Sequence, residues 1–196
     1  MSDLTAVDTT VALRSPLEEI KLADLPAIAT LRDAGPLRRF VIRGADVAAT
    51  GLAGAMGVVP PHEINRAAIT GSRAVLKLGP DEWLFLAEVS GALQLEVPPG
   101  ARLSVVDIGH RNTGLRLSGA KIETMLAAGC PLPLDPVAFP VGRATRTLYA
   151  KAEIVLWRMA VASFHIEVAR SYAPYLAAHL GEAIEVEAAL GMREKP

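Results

Sequence analysis

The reading of the fold turns on Val106 to Gly142, VDIGHRNTGLRLSGAKIETMLAAGCPLPLDPVAFPVG. Gly114 to Leu117 is a short strand candidate, and Ser118-Gly119 breaks it where the chain turns into a helix. Ile122, Met125 and Leu126 recur at the spacing that gathers apolar side chains on one helical face, with Lys121, Glu123 and Thr124 on the other. Gly129 is expected to stop this helix in the left-handed conformation, which a residue without Cβ adopts at little cost. The following CPLPLDPVAFP, with four prolines in eleven residues, reads as an extended connection without regular structure.

Upstream the same layout occurs once more. FVIRGADVAATGLAGAMGVVP, Phe40 to Pro60, repeats LRLSGAKIETMLAAGCPLP, Leu115 to Pro133: strand, Gly-Ala turn, apolar helix, glycine, then proline. Gly44-Ala45 thus answers to Gly119-Ala120. The helix of this first copy is the weaker one, because Gly51 and Gly54 within it each cost about 1 kcal/mol against alanine. AVLKLGPDEWLFLAEV, Ala74 to Val89, and EIVLWRMAVASFHIEVAR, Glu153 to Arg170, are each a strand, a tight connection and a strand. The first turns at Gly79-Pro80-Asp81-Glu82, where Pro80 pre-sets its dihedral, and the second at Ala160 to Ser163. After Ser171 as N-cap, Tyr172, Leu176 and Leu180 share a helical face. Gly181 is expected to end that helix, and Ile184-Glu185-Val186-Glu187-Ala188 alternates as a final strand.

The expected class is therefore α+β, two pseudo-repeated β-α-β-β units packed as one compact block. Residues 1–36 are an N-terminal arm and lead-in, with polar Met1 to Thr10 expected to be disordered or ordered by a partner. Residues 37–104 make the first half, and residues 105–196 the second half with its C-terminal helix and strand.

A chain of 196 residues can bury roughly 70% of its unfolded surface. Its hydrophobic fraction of 51%, charged fraction of 21% and mean hydropathy of +0.32 are apolar enough that some surface is expected to face another protein. No apolar run approaches the ~20 residues a bilayer demands, and the N-terminus lacks the pattern of a signal peptide. A cytoplasmic chain is the expectation. One cysteine excludes an intrachain disulfide, and a net charge of −1 argues against nucleic acid and anionic membranes as partners.

Gly51, Gly54 and Gly57 sit within and after a helix, not in the strand-to-helix turn where a phosphate would meet backbone N–H groups. Cys130 follows a helix C-terminus, whose carbonyls disfavour a thiolate, and reads as a small buried residue. His62, His110, His165 and His179 show no metal-ligand spacing, and His165 reads as a polar surface residue of its strand. Asp81 and Glu82 read as a solvated turn. His110-Arg111, in a loop after Asp107-Ile108-Gly109, are candidates for subunit or ligand contact, with a local Asp107–Arg111 pair as the purely structural reading. Trp83 and Trp157, in equivalent hairpins, are either core or interface anchors.

VDIGHR, LRLSG, LAAGCPL and AFPVG resemble the gamma subunit of heterotetrameric sarcosine oxidase. LGPDEWLFLA at Leu78, IVLWR at Ile154, VARSYAPYL at Val168 and RSPL at Arg14 extend the likeness in the same order. The resemblance implies a fold similar to the folate-binding fold of aminomethyltransferases. It also implies a non-catalytic chain in a four-chain oxidase that converts sarcosine to glycine with release of peroxide. FAD, FMN, NAD and tetrahydrofolate are then expected on the other subunits. The implied direct partner is the alpha subunit, with beta and delta completing the complex. A tetrahydrofolate-binding module is the alternative, and a free-standing aminomethyltransferase is disfavoured for want of further domains.

Overall fold

The computed structural model describes residues 14–25, 28–44, 47, 50–88, 93–97 and 99–193, the last two without their side chains. Met1 to Thr10 and Ala45 lie outside the described residues. Among the described residues eleven strands form two antiparallel sheets. The five-stranded sheet holds β3 (Leu37–Gly44), β4 (Arg66–Thr70), β5 (Arg73–Gly79), β6 (Glu82–Glu88) and β7 (Leu103–Asp107), in the order β4-β5-β6-β3-β7. The six-stranded sheet holds β1 (Asp24–Leu25), β2 (Ala29–Asp33), β8 (Asn112–Ser118), β9 (Ala144–Tyr149), β10 (Ala152–Ala160) and β11 (Ser163–Ala169), in the order β1-β2-β8-β11-β10-β9.

Laid side by side, β9-β10-β11-β8-β2 reproduces β4-β5-β6-β3-β7, so the duplication seen in the sequence is present in the sheets. Each unit carries one strand, β4 or β9, beyond the β-α-β-β pattern. The fifth strand of each sheet is supplied from the other side of the repeat: β2 precedes the first unit yet pairs with β8, and β7 precedes the second yet pairs with β3.

Gly44 and Gly119 end β3 and β8 with φ of 141° and 151°. A Cβ on Gly44 would overlap the Arg102 carbonyl, and one on Gly119 the Ile28 carbonyl, each at the start of the crossing strand β7 or β2. The two glycines are therefore the same device used twice: they let a strand enter against the strand-to-helix corner.

Three apolar layers hold the block together. α2 (Ile122–Ala127) and α3 (Ala173–Arg193) cover the six-stranded sheet through Ile122, Met125, Leu126, Leu176, Leu180 and Ile184. The short α1 (Leu52–Met56) covers the five-stranded sheet through Leu52 and Met56. Between the sheets, Leu76, Leu84, Leu86, Val155 and Trp157 form the third layer. Gly57 closes α1 in the left-handed conformation at φ 65°, and Arg73 Nη1 donates to the freed Met56 carbonyl at 2.9 Å.

Three sequence expectations are corrected. α3 runs through Gly181 to Arg193, so Ile184 to Ala188 is helix and not a final strand. Ile184 continues the every-fourth stripe of Leu176 and Leu180. Burying it contributes about 1.5–3 kcal/mol, more than the ~1 kcal/mol an interior glycine costs. Gly129 is not left-handed; α2 is capped at Ala128, and Gly129 leaves space for the Tyr149 ring, which a Cβ would meet at 2.9 Å. His165 is buried, because the face opposite Phe164 and Ile166 lies between the sheets and not in water.

The proline-rich connection is irregular as its composition requires, but it is anchored. Phe139 and Leu134 are buried, Asp135 Oδ1 accepts the N–H groups of Val137 and Ala138 at 3.0 Å each, and Arg158 donates to the Leu134 carbonyl and to Glu123 Oε1.

Candidate functional site

Polar side chains gather where the sheets face one another. Glu167 on β11 is 1% exposed; its Oε2 accepts from Arg39 Nε at 2.6 Å across the sheet interface, and its Oε1 meets His165 Nε2 at 2.7 Å. His165 in turn packs edge-on against Trp157, with ring centroids 5.9 Å apart. Gly114 on neighbouring β8 makes room for this cluster: a Cβ there would lie 2.8 Å from Glu167 Oε1 and 2.9 Å from His165 Cε1. The alternation Ser163, His165, Glu167 in an otherwise apolar strand reads as a wetted face. The signal against that reading was in β6 and β10, whose near-continuous apolar runs belong to sheets buried on both sides.

A second ion cluster ties the sheets at their edge. Glu82 is buried, not solvated; it accepts from Arg146 Nη1 at 2.8 Å, with Arg146 Nη2 closing the fork, and forms an ion pair with Arg43 Nη2 at 2.8 Å. The hydrogen bond from Arg146 holds the Glu82 carboxyl below its usual range against the opposing effect of burial, and the same bond raises Arg146. Asp81 beside it stays on the surface, as its turn position dictates.

His110 and Arg111 are both exposed on the loop between β7 and β8, but they face different clefts. Arg111 borders an open groove of about 350 Å³ between the sheets, together with Arg146, Lys151 and Tyr172. His110 borders a cleft of about 290 Å³ at the start of β3, which Arg38 and Arg39 also line. Asp107 does not pair with Arg111. Its Oδ1 accepts the Gly109 N–H at 2.7 Å and its Oδ2 lies 4.0 Å from Arg38 Nη1. Trp83 and Trp157 are both buried, in the layer under α1 and the layer between the sheets respectively, so neither presents its ring to solvent. Arg39, Glu167 and Arg146 were not singled out from the sequence, and Glu82 was read only as a turn acid, because partners far apart along a chain leave no spacing to read.

Among the described residues no group of three or more His, Cys, Asp or Glu is placed to hold a metal ion, and no helix is long and apolar enough to cross a membrane. Cys130 is buried at the exit of α2 with its Sγ 3.8 Å from Thr147 Oγ1. The two buried acids among the described residues, Glu82 and Glu167, are both consumed by arginines that join one sheet to the other.

Comparison with known proteins gives this architecture its relatives. The chain is 33% identical over 184 residues to the sarcosine oxidase subunit gamma of Corynebacterium sp. (strain U-96), covering 85% of this chain and 87% of that one. It is 30% identical over 176 residues to the sarcosine oxidase subunit gamma of an Arthrobacter species, with the same coverage. Among solved structures it resembles a chain of the heterotetrameric sarcosine oxidase from Corynebacterium sp. U-96 in complex with pyrrole 2-carboxylate. That likeness has a TM-score of 0.78 and 29% identity, over 88% of this chain and 95% of that one. The glycine cleavage system aminomethyltransferase T from Bartonella henselae shares the fold at a TM-score of 0.64 and 15% identity, over 86% of this chain and 57% of that one. The model of the sarcosine oxidase, gamma subunit family matches residues 43–185, which span both units, and the chain belongs to that family.

Proposed function

We propose that this chain is the non-catalytic gamma subunit of a heterotetrameric sarcosine oxidase and that it packs against the alpha subunit. The complex demethylates sarcosine oxidatively to glycine, releasing peroxide and formaldehyde, free or bound to folate. FAD, FMN, NAD and tetrahydrofolate reside on the other chains. The observation that carries this reading is the family match across both units, joined to the use of the ionisable residues. Glu82, Glu167, Arg158 and His165 are bonded within the fold, where they fasten sheet to sheet and loop to helix. His110 and Arg111, exposed on one loop, are the proposed points of subunit contact.

Co-expression with the alpha subunit tests the proposal. The two chains are expected to purify together, the gamma chain to melt higher in the complex than alone, and sarcosine-dependent peroxide release to require alpha and beta but not to arise from the gamma chain by itself. A monodisperse monomer whose stability is indifferent to alpha would sink the idea.

The second reading, a tetrahydrofolate-binding module, draws on the fold shared with aminomethyltransferase T. The residues fit it poorly: the donor-rich edge of a pterin wants a free buried carboxylate, and Glu82 and Glu167 are both already paired. Titration calorimetry with a reduced folate separates the two readings, because saturable heat on the gamma chain alone belongs only to the second.

A further inference from the structure

We infer that the outer edge of β7 docks an extended, apolar segment of the alpha subunit, which adds a sixth strand to the smaller sheet; this rests on the reading of the chain as a gamma subunit. The two halves of the repeat differ here. In the larger sheet β1 pairs with the outer edge of β2 through Asp24↔Thr30 and Leu25↔Ala29, and the Leu31 N–H donates to the Ala23 carbonyl at 2.8 Å. With Gly44 set against Gly119, the strand registers make Ala29, Leu31, Arg32 and Asp33 answer to Leu103, Val105, Val106 and Asp107. β7 is the last strand of its sheet and has no counterpart of β1 among the described residues. The positions that answer to Asp24 and Leu25 hold Pro98 and Pro99, neither of which has an N–H to offer a neighbouring strand.

The edge carries what a partner strand needs. The Ile108 N–H donates to the Arg39 carbonyl at 2.8 Å, so alternation points the backbone groups of Ser104 and Val106 at β3 and those of Leu103, Val105 and Asp107 outward. The Val105 N–H thus stands where the Leu31 N–H stands in the other half, without its acceptor among the described residues. The side chains differ in the same sense. Ala29 and Leu31 are fully buried with β1 in place, whereas Leu103 and Val105 are only partly buried against the layer under α1. Arg32 pairs with Asp24 of β1 at 2.8 Å, but Val106 in its place is uncharged and 50% exposed on the opposite face. An occupant apolar on both faces completes both layers while it satisfies the outward backbone. A second copy of β7 fits worse, because pairing through the outward groups sets Asp107 opposite Leu103, Val105 or another Asp107. The loop with His110 and Arg111 follows β7 directly, so the edge and those exposed residues form one surface.

Amide hydrogen exchange at single-residue resolution, on the full chain alone and on the complex purified with the alpha subunit, reads this edge directly. The amides of Leu103, Val105 and Asp107 should exchange at least about tenfold more slowly in the complex, while those of Ser104 and Val106, bonded to β3, should be protected in both. Val105→Pro removes only an outward N–H, which an edge strand tolerates, and should raise the dissociation constant of the complex about tenfold. Val106→Arg, at an exposed position where the fold has little to lose, should do the same by setting a charge against an apolar occupant. A complex that forms with unchanged exchange at the three outward amides, or with full affinity in both variants, overturns the inference and leaves the gamma-subunit reading standing. Failure of the wild-type chains to associate overturns that reading, and the inference with it. Slow exchange of the outward amides in the free chain overturns the inference as well, since a second copy or the chain's own residues would then hold the edge.

Discussion

Removing the charge from the Arg39–Glu167 pair one partner at a time should injure the protein more than removing both. Arg39→Met leaves Glu167, 1% exposed, with only His165, and Glu167→Leu leaves the 3% exposed Arg39 with only the Leu37 carbonyl at 3.1 Å. An uncompensated buried charge costs about 3–5 kcal/mol, a large part of the 5–15 kcal/mol that typically holds a domain together. The double variant has neither charge and keeps the volume of the site. Its remaining loss is the acceptor for His165 Nε2, about 1–3 kcal/mol. It should therefore be more stable than either single variant, with a coupling of at least about 3 kcal/mol in the double-mutant cycle. Adding His165→Phe, which retains an aromatic edge toward Trp157, should recover most of the remainder. Urea unfolding at neutral pH, followed by circular dichroism on all four proteins, measures the cycle. Single variants that each cost under about 1 kcal/mol and add in the double would refute the claim that this pair is a desolvated link between the sheets.

Three further outcomes follow from the geometry. Gly119→Ala should destabilise by about 2 kcal/mol or more, since its Cβ would overlap the Ile28 carbonyl at a φ of 151°, whereas Gly35→Ala, with open space around it, should cost only the strain of its φ of 78°; thermal melts of both variants decide it. Glu82 is held below its ordinary value of 4.5 in the folded chain, so its contribution is full above that pH and is lost as pH falls through the lower folded value. Glu82→Gln should flatten the acid limb of stability against pH, and an unchanged limb would remove Glu82 from that role. Tyr149, buried against Gly129, is pushed up to about 12 from 10, chiefly by burial, so its contribution is present below pH 10 and fades as pH rises toward 12. Ultraviolet titration should find one phenol ionising late in the wild type, and Tyr149→Phe should abolish it.

The repeat, the hairpin turns at Gly79 to Glu82 and Ala160 to Ser163, and the helix after Ser118-Gly119 were legible because each is written in neighbouring residues: a turn former, a period, a copy of the same order. What was misread depended on the other sheet. His165 and Glu167 alternate with apolar residues as a surface strand does, and only the second sheet lying over them makes that face an interior. Ile184 to Ala188 alternates equally well, and the strand reading failed because Ile184 had a place waiting beneath α3 that a strand could not reach. Gly129 looked like a helix stop, yet the reason for a glycine there is a ring from a strand that follows it by twenty positions in sequence. The cleft beside β3 was half visible, through His110, but its arginines come from the lead-in, β3 and the end of β11, which no local pattern connects.

The exchanged fifth strands bear on how the chain is made. Leu31 of β2 emerges early from the ribosome, yet its partner Leu117 is among the residues of the second unit, so β2 has only the two-residue β1 to pair with while the whole first unit is synthesised. The smaller sheet, likewise, cannot seat its last edge until Val106 reaches Val41. Neither unit is a finished piece by itself, and severing the chain near Gly100 should yield two fragments that acquire structure only when mixed, each lending the other its missing edge.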